Sequence, residues 1–325
     1  MAGDGSAGGR PVSGRRVQPP GPEARRVLSR LELVVNRRLR GLVQGEHLGL
    51  FPGAGSEPGE SRPYVPGDDV RLIDWNVTAR TGELHVRDPV ADHEVDLWLL
   101  VDMSASQHFG TTMREKREVV VGLAAAFGLP ATRLANRVGA VVVGGGGVTT
   151  VPASAGRARL LALLHRVLAT RAWEGEGATD LAGGLGRLER LARRRGVVVV
   201  ISDFLCQPGW EAALGRLGVR HDLVVAEVID PRELELPSMG VLSLVDPETG
   251  RARIVDTSRA RLRTSFSAAA GAQRAAIAAA VARAGAHHLV VSTDADWLGE
   301  ALVFFTTRRR RRTYRATPKR SGGTP

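Results

Sequence analysis

Cysteine is almost missing from this chain: Cys206 is the only one in 325 residues. A lone thiol excludes an intramolecular disulfide and any cysteine-cluster metal site, and it suits a reducing compartment. Cys206 itself reads as an ordinary small buried side chain. Long apolar runs are missing too, since Leu97 to Val101 and Gly196 to Ile201 stop well short of the roughly 20 residues that cross a bilayer. No membrane span is expected. The opening MAGDGSAGGRPVSGRRVQPPGPE has arginines but no apolar stretch of the length a secretory signal needs, so the expected location is cytoplasmic. Also absent are a GxSxG elbow, an HExxH pair and paired catalytic carboxylates with an adjacent base. Gly144 to Gly147 lacks the Lys and Ser/Thr of a phosphate loop and reads as a hairpin turn. His287 and His288 have no carboxylate or cysteine at metal spacing, and His108 reads as a surface-loop histidine.

Positive charge, by contrast, is plentiful. Of the formal net charge of +11, residues 1–40 contribute +6 and residues 306–325 contribute +8, which leaves −3 for the body between them. The basic ends, including Arg308 to Arg312, therefore read as solvated tails rather than a shaped nucleic-acid groove, and any contact they make with nucleic acid or anionic lipid should vanish with salt. With 43% hydrophobic residues, the chain can bury the core of one large α/β domain.

The chain divides into four stretches. Residues 1–22 are a Gly-, Pro-, Ser- and Arg-rich lead with too little apolar content to order themselves. Residues 23–95 combine a helix with a small turn-rich β-containing region. Leu28, Leu31, Val35, Leu39 and Leu42 lay one apolar stripe on a helix over 23–43, and the Pro- and Gly-rich FPGAGSEPGE and YVPGDD break the region beyond it into short segments. Residues 96–305 alternate strand and helix, and residues 306–325 form a basic disordered tail. Strands are expected at 95–101, 138–143, 148–151, 197–201, 222–228 and 288–292, with a hairpin of 241–245 and 253–255. Helices are expected at 113–136, 157–170, 180–195, 210–217 and 296–305, together with a long Ala-rich helix capped by Ser258. Strand then helix, repeated, implies an α/β doubly wound, mostly parallel sheet covered on both faces.

In such a sheet, ligands sit beyond the carboxyl ends of the strands, where the strand order reverses. Two strand ends are polar: VDMSAS at 101–106 and VVVVISDF at 197–204. Asp102 and Asp203 would face one crevice. Ser104, Ser106 and Thr179, the last in the Gly-rich EGEGATDL segment, offer neutral oxygens. Hard oxygen ligands without His or Cys suit Mg²⁺, which holds oxygens at roughly 2.0 to 2.1 Å; Mn²⁺ or Ca²⁺ are the other candidates. The competing reading of VDMSAS is a strand-end turn whose short polar side chains satisfy backbone amides.

Asp102-x-Ser104-x-Ser106, then Thr179, then Asp203 resembles the metal-ion-dependent adhesion site (MIDAS) of von Willebrand factor A-like domains. The resemblance implies that both serines bind the metal directly, the threonine directly or through water, and the aspartates largely through water. Tyr64-x-x-Gly67-Asp68-Asp69-x-Arg71-x-Ile73-Asp74-Trp75, with Ala79-Arg80 behind it, resembles the signature of the DUF58 family. GELHVRD, ISDF, ELELPSMGVLSLVDPETG and ALVFFTTR are similar to that family as well. Two departures stand out: Gln107 occupies a position where the family usually carries methionine, and the membrane helices that precede this region in many members are not seen, which implies a soluble member. Taken alone, the 64–80 residues read as a polar network in which Asp68, Asp69 and Asp74 pair with Arg71 or Arg80 while Tyr64 and Trp75 pack.

The resemblance implies a non-enzymatic, Mg²⁺-dependent protein-interaction module, an adaptor or co-chaperone for a MoxR-type AAA+ ATPase, with a partner's acidic residue completing the metal. The alternatives are a Mg²⁺-dependent phosphatase or phosphotransferase and weak nucleic-acid binding through the basic tails.

Overall fold

The computed structural model describes residues 22–42, 61–87, 95–110, 114–144, 147–170, 179–245 and 251–316. The 1–21 part of the basic lead, most of the Gly-rich segment before Thr179, and residues 317–325 lie outside the described residues.

The chain opens with α1 (Pro22–Leu42), a short ribbon of β1 (Ser61–Pro63) and β2 (His85–Arg87) with α2 (Trp75–Thr81) between them, and then β3 (Leu97–Met103). Next come α3 (Lys116–Arg133), β4 (Val138–Gly144), β5 (Gly147–Ser154), α4 (Arg157–Leu168), α5 (Leu181–Leu191), β6 (Val197–Ser202), α6 (Trp210–Arg220), β7 (Asp222–Ile229) and the one-turn α7 (Pro231–Leu234). The hairpin of β8 (Val241–Val245) and β9 (Ala252–Asp256), α8 (Ala260–Arg283), β10 (His287–Ser292) and α9 (Trp297–Ala316) complete the chain.

Six strands form one sheet in the order β10-β7-β6-β3-β4-β5, all parallel except the antiparallel edge strand β5. This is the doubly wound α/β architecture expected from the apolar runs. Every residue of β3, LWLLVDM, is buried, as a strand sandwiched between helix layers requires. Alternate side chains go to opposite faces. Leu97, Leu99, Val101 and Met103 join α1, α3, α4 and α9 on one side, while Trp98 and Leu100 join α5, α6 and α8 on the other. Leu28, Val35 and Leu39 of α1 are buried in the first layer, so the helix is packed on the domain.

From β3 the chain winds outward to β4 and β5, and then crosses back to place β6 on the other side of β3. The order therefore reverses between β3 and β6, whose backbones run in register from Leu97 opposite Val197 to Val101 opposite Ile201. The next residues of both strands, Asp102 and Ser202, open the crevice.

The structure corrects three local expectations. The basic tail does not begin at 306: α9 runs through the arginines to Ala316, and Arg308 is buried in an ion pair with Asp222. Ser258 does not cap α8. Arg259 holds that position without a side-chain cap, and the Ser258 hydroxyl donates to Asp256 Oδ1 at 2.5 Å. In the 64–80 segment, Asp68 pairs with Arg62 rather than Arg71 or Arg80, with Nη1 to Oδ2 at 2.7 Å. Asp74 caps α2 by accepting from the Asn76 and Val77 amides, and Trp75 is 67% exposed instead of packed. Asp69 pairs with Arg71 as expected, with Nε to Oδ1 at 4.0 Å, and it also accepts from the Arg71 amide at 3.0 Å. Cys206 is half-buried against the layer that holds Phe204 and Trp210.

Candidate functional site

Strand β3 ends in Met103, and its chain turns at Ser104 into a short 3-10 turn over Ala105–His108. Asp102, one residue earlier, is buried. Its Oδ1 accepts from the Ser104 amide at 3.0 Å and its Oδ2 accepts from the Ser202 hydroxyl at 2.6 Å. The strand-end turn read from sequence is therefore present, and it uses Asp102 to hold the loop shape. The Ser104 and Ser106 hydroxyls lie 3.0 Å apart, and both side chains are buried.

Asp203 follows β6 and is buried, its Oδ1 accepting from the Leu205 amide at 3.0 Å. Between them Phe204 has φ of +57°, a left-handed conformation that costs a non-glycine residue on the order of 1 kcal/mol. The Phe204 amide donates to Ser202 Oγ at 2.9 Å, so one serine hydroxyl ties the strained turn after β6 to Asp102 on β3. Thr179 directly precedes Asp180, the cap of α5. A Cβ at Gly184 would lie 2.4 Å from Val143 Cγ2 and 3.4 Å from Leu100, so the first turns of α5 pack on β4 and β3. Thr179 stands just ahead of that helix with a half-buried side chain.

Three members of the site escaped sequence reasoning. Lys116, the first residue of α3, is fully buried. Its ammonium donates to Asp203 Oδ2 at 2.6 Å and to Glu233 Oε1 on α7. Ser202 is the third, legible only as the residue before the aspartate. Burial works to lower the Lys116 pKa, but Asp203 and Glu233 outweigh it and hold the ammonium above its ordinary value. Burial raises the Glu233 carboxyl, with Lys116 opposing. Asp102, with no cation of its own, is pushed up to about 6, first by burial and then by the charge of Asp203, against the hydrogen bonds from Ser202 and Ser104.

The Ser104 and Ser106 hydroxyls hydrogen-bond to each other at 3.0 Å, a spacing that two neighbouring oxygen ligands of a hard divalent ion would also take. Asp102, Asp203 and Glu233 against Lys116 leave two uncompensated negative charges when all are ionised. Among the described residues, no group of three or more His, Cys, Asp and Glu could hold a metal, so an ion here depends on the hydroxyls. His108 is half-buried and shares a 3.2 Å contact between its Nε2 and Arg117 Nη1. Among the described residues, no helix is long and apolar enough to cross a membrane.

The family described as Protein of unknown function DUF58 matches residues 60–276. The chain is 46% identical over 290 residues to "Uncharacterized protein Rv1480" of Mycobacterium tuberculosis, covering 89% of this chain and 91% of that one. Among solved structures, it is similar to the conserved hypothetical protein BatB from Bacteroides thetaiotaomicron, with 13% identity, a TM-score of 0.41, and coverage of 66% of this chain and 99% of that one. It is also similar to the SpRpn10 VWA domain, with 13% identity, a TM-score of 0.34, and coverage of 64% and 93%.

Proposed function

Because this chain belongs to the DUF58 family, we propose that it is a non-enzymatic protein-interaction module that holds one Mg²⁺ at the carboxyl end of its sheet. The observation that carries the reading is the meeting of Asp102, Ser104 and Ser106 with Asp203 where the strand order reverses. In this reading Ser104 and Ser106 bind the ion through their hydroxyls, Thr179 binds it directly or through water, and Asp102 and Asp203 act largely through water. The bound ion supplies a positive centre with positions left for a partner's carboxylate. Asp102 and Ser202 hold the loop in shape, and Lys116 fixes Asp203.

By its resemblance to DUF58 proteins, we assign the module to work as an adaptor or co-chaperone with a MoxR-type AAA+ ATPase. The test is co-elution of the purified chain with such an ATPase on size-exclusion chromatography. Complex in Mg²⁺ that is lost in chelator and in Asp102→Ala supports the reading. Complex indifferent to both sinks it.

One observation favours a second reading, Mg²⁺-dependent phosphoryl transfer: Lys116 is a cation beside the strand-end aspartates. It ranks second because that ammonium is fully buried and already serves Asp203 and Glu233, which leaves it none of the access a phosphate needs. Turnover of p-nitrophenyl phosphate that disappears in Asp102→Ala would reverse the order.

A further inference from the structure

Both strand-end aspartates are tied down by donors of the protein itself. Asp102 accepts from the Ser104 amide at Oδ1 and from the Ser202 hydroxyl at Oδ2. Asp203 accepts from the Leu205 amide at Oδ1, at 3.0 Å, and from the Lys116 ammonium at Oδ2, at 2.6 Å. Of these four donors only Lys116 is charged, and a charge-assisted bond between ammonium and carboxylate is the strongest kind among them.

Lys116 has little freedom to let go. Its side chain is fully buried, with Nζ also donating to Glu233 Oε1 and standing 6.0 Å from the centroid of the Phe109 ring. Its main chain is anchored to the serine loop. The Phe109 amide donates to the Ser106 carbonyl at 3.3 Å, and the Lys116 amide donates to the Phe109 carbonyl at 3.0 Å. Two backbone hydrogen bonds thus link the cation that holds Asp203 to the loop that carries Ser104 and Ser106.

That restraint bears on which ion the site takes. Mg²⁺ asks for near-ideal octahedral geometry and keeps several of its waters, whereas Ca²⁺ takes about six to eight oxygens at longer distances and readily uses both oxygens of a carboxylate. Ligand number and flexibility therefore decide between them. A carboxylate held by a buried ammonium at one oxygen and by an amide at the other is badly placed for the two-oxygen grip that favours Ca²⁺. Released from the ammonium, the same carboxylate gains that freedom.

We propose that Lys116 is the positioning residue that sets the ion selectivity of the site: by holding Asp203 back, it favours Mg²⁺ over Ca²⁺ and leaves coordination positions to water and to a partner's carboxylate. This rests on the metal reading above and adds a cause for the choice of ion. Charge can be separated from restraint. Asp102, Asp203 and Glu233 against Lys116 carry two net negative charges when all are ionised, and Asp102 with Asp203 alone carries the same two. The double variant Lys116→Met, Glu233→Gln frees Asp203 without changing that total.

The test is isothermal titration of Mg²⁺ and, separately, of Ca²⁺ into the full chain, its Lys116→Met form and the double variant. The wild type should bind Mg²⁺ about tenfold more tightly than Ca²⁺. In the double variant Ca²⁺ affinity should rise until the preference disappears or reverses. Lys116→Met alone should lose the preference too, with tighter binding of both ions from its added negative charge. Infrared difference spectra on adding Ca²⁺ should show a carboxylate stretch displaced by direct coordination in the double variant and not in the wild type. A folded double variant that keeps the wild-type preference, or that loses both ions, overturns the proposal. Equal gains for both ions in Lys116→Met, with the preference intact, also overturn it and assign Lys116 to charge balance alone. So does a wild type that binds the two ions equally or favours Ca²⁺, a comparison that needs no variant to fold. No binding of either ion by the wild type removes the metal reading itself, and the selectivity with it.

Discussion

Lys116 Nζ lies 2.6 Å from Asp203 Oδ2 at a site where neither side chain is more than 2% exposed, joining the start of α3 to the end of β6 across 87 residues of chain. A buried ion pair is weak evidence of net stabilisation, but removing one partner leaves the other charge uncompensated at a cost of about 3 to 5 kcal/mol. Lys116→Met should therefore lower unfolding free energy in urea by that order. Lys116→Met with Glu233→Gln should recover part of it by removing one of the two stranded carboxylates. Loss under about 1 kcal/mol in the single variant, measured against the expected range, would mean that the ammonium does not organise Asp203.

Gln107 follows Ser106 directly and is fully buried, and neither its Nε2 nor its Oε1 has a hydrogen-bond partner among the described residues. A buried polar group without partners costs about 1 to 3 kcal/mol. Methionine has nearly the same length and no such requirement. Gln107→Met should raise the melting temperature, and a fall would show that the amide finds a partner in solution.

Glu32 on α1 accepts from Arg157 of α4, with Nη2 to Oε2 at 2.7 Å. The hydrogen bond from Arg157 lowers the Glu32 pKa below its ordinary 4.5, against burial. A carboxylate whose pKa is lower folded than unfolded contributes stability that is present above the unfolded value and lost as the pH falls through the folded one. Stability should thus fall below about pH 4.5 more steeply in the wild type than in Glu32→Gln. The effect is under about 1 kcal/mol, since the Arg157 side chain is largely solvated. Urea unfolding at pH 3.5 and pH 7 checks it, and parallel pH profiles would contradict it.

The reach of sequence reasoning is clearest at this site. β3 and β6 were legible because strands covered on both faces are nearly continuous apolar runs, and the polar residues that end them, Asp102 and Asp203, stood out against those runs. Thr179 lies just ahead of α5, as the sequence placed it. Lys116 was not. It sits in Arg114-Glu115-Lys116-Arg117, which reads as a solvated charged cluster, and its burial depends on carboxylates 87 and 117 residues away. The same blindness to distant partners misplaced the end of α9, where Arg308 is buried by Asp222 rather than left in a tail. Trp75 failed in the opposite sense, as an aromatic residue expected to pack that is exposed instead.

At Gly184 a methyl group would meet Val143 Cγ2 at 2.4 Å, so the valine or the helix must shift. Gly184→Ala should push the start of α5, and Thr179 with it, away from the serines. Mg²⁺ affinity should fall several-fold, with a smaller fall in global stability. Unchanged affinity would exclude Thr179 from the metal site.

The most direct measurement is isothermal titration of Mg²⁺ into the purified chain, its Asp102→Ala form and its Ser104→Ala form, with thermal melts alongside. The expected result is one ion per wild-type chain, with stabilisation of about 2.7 kcal/mol at a hundredfold excess over Kd, and neither effect in the two variants. Wild type and variants behaving alike would contradict the metal site and the function built on it.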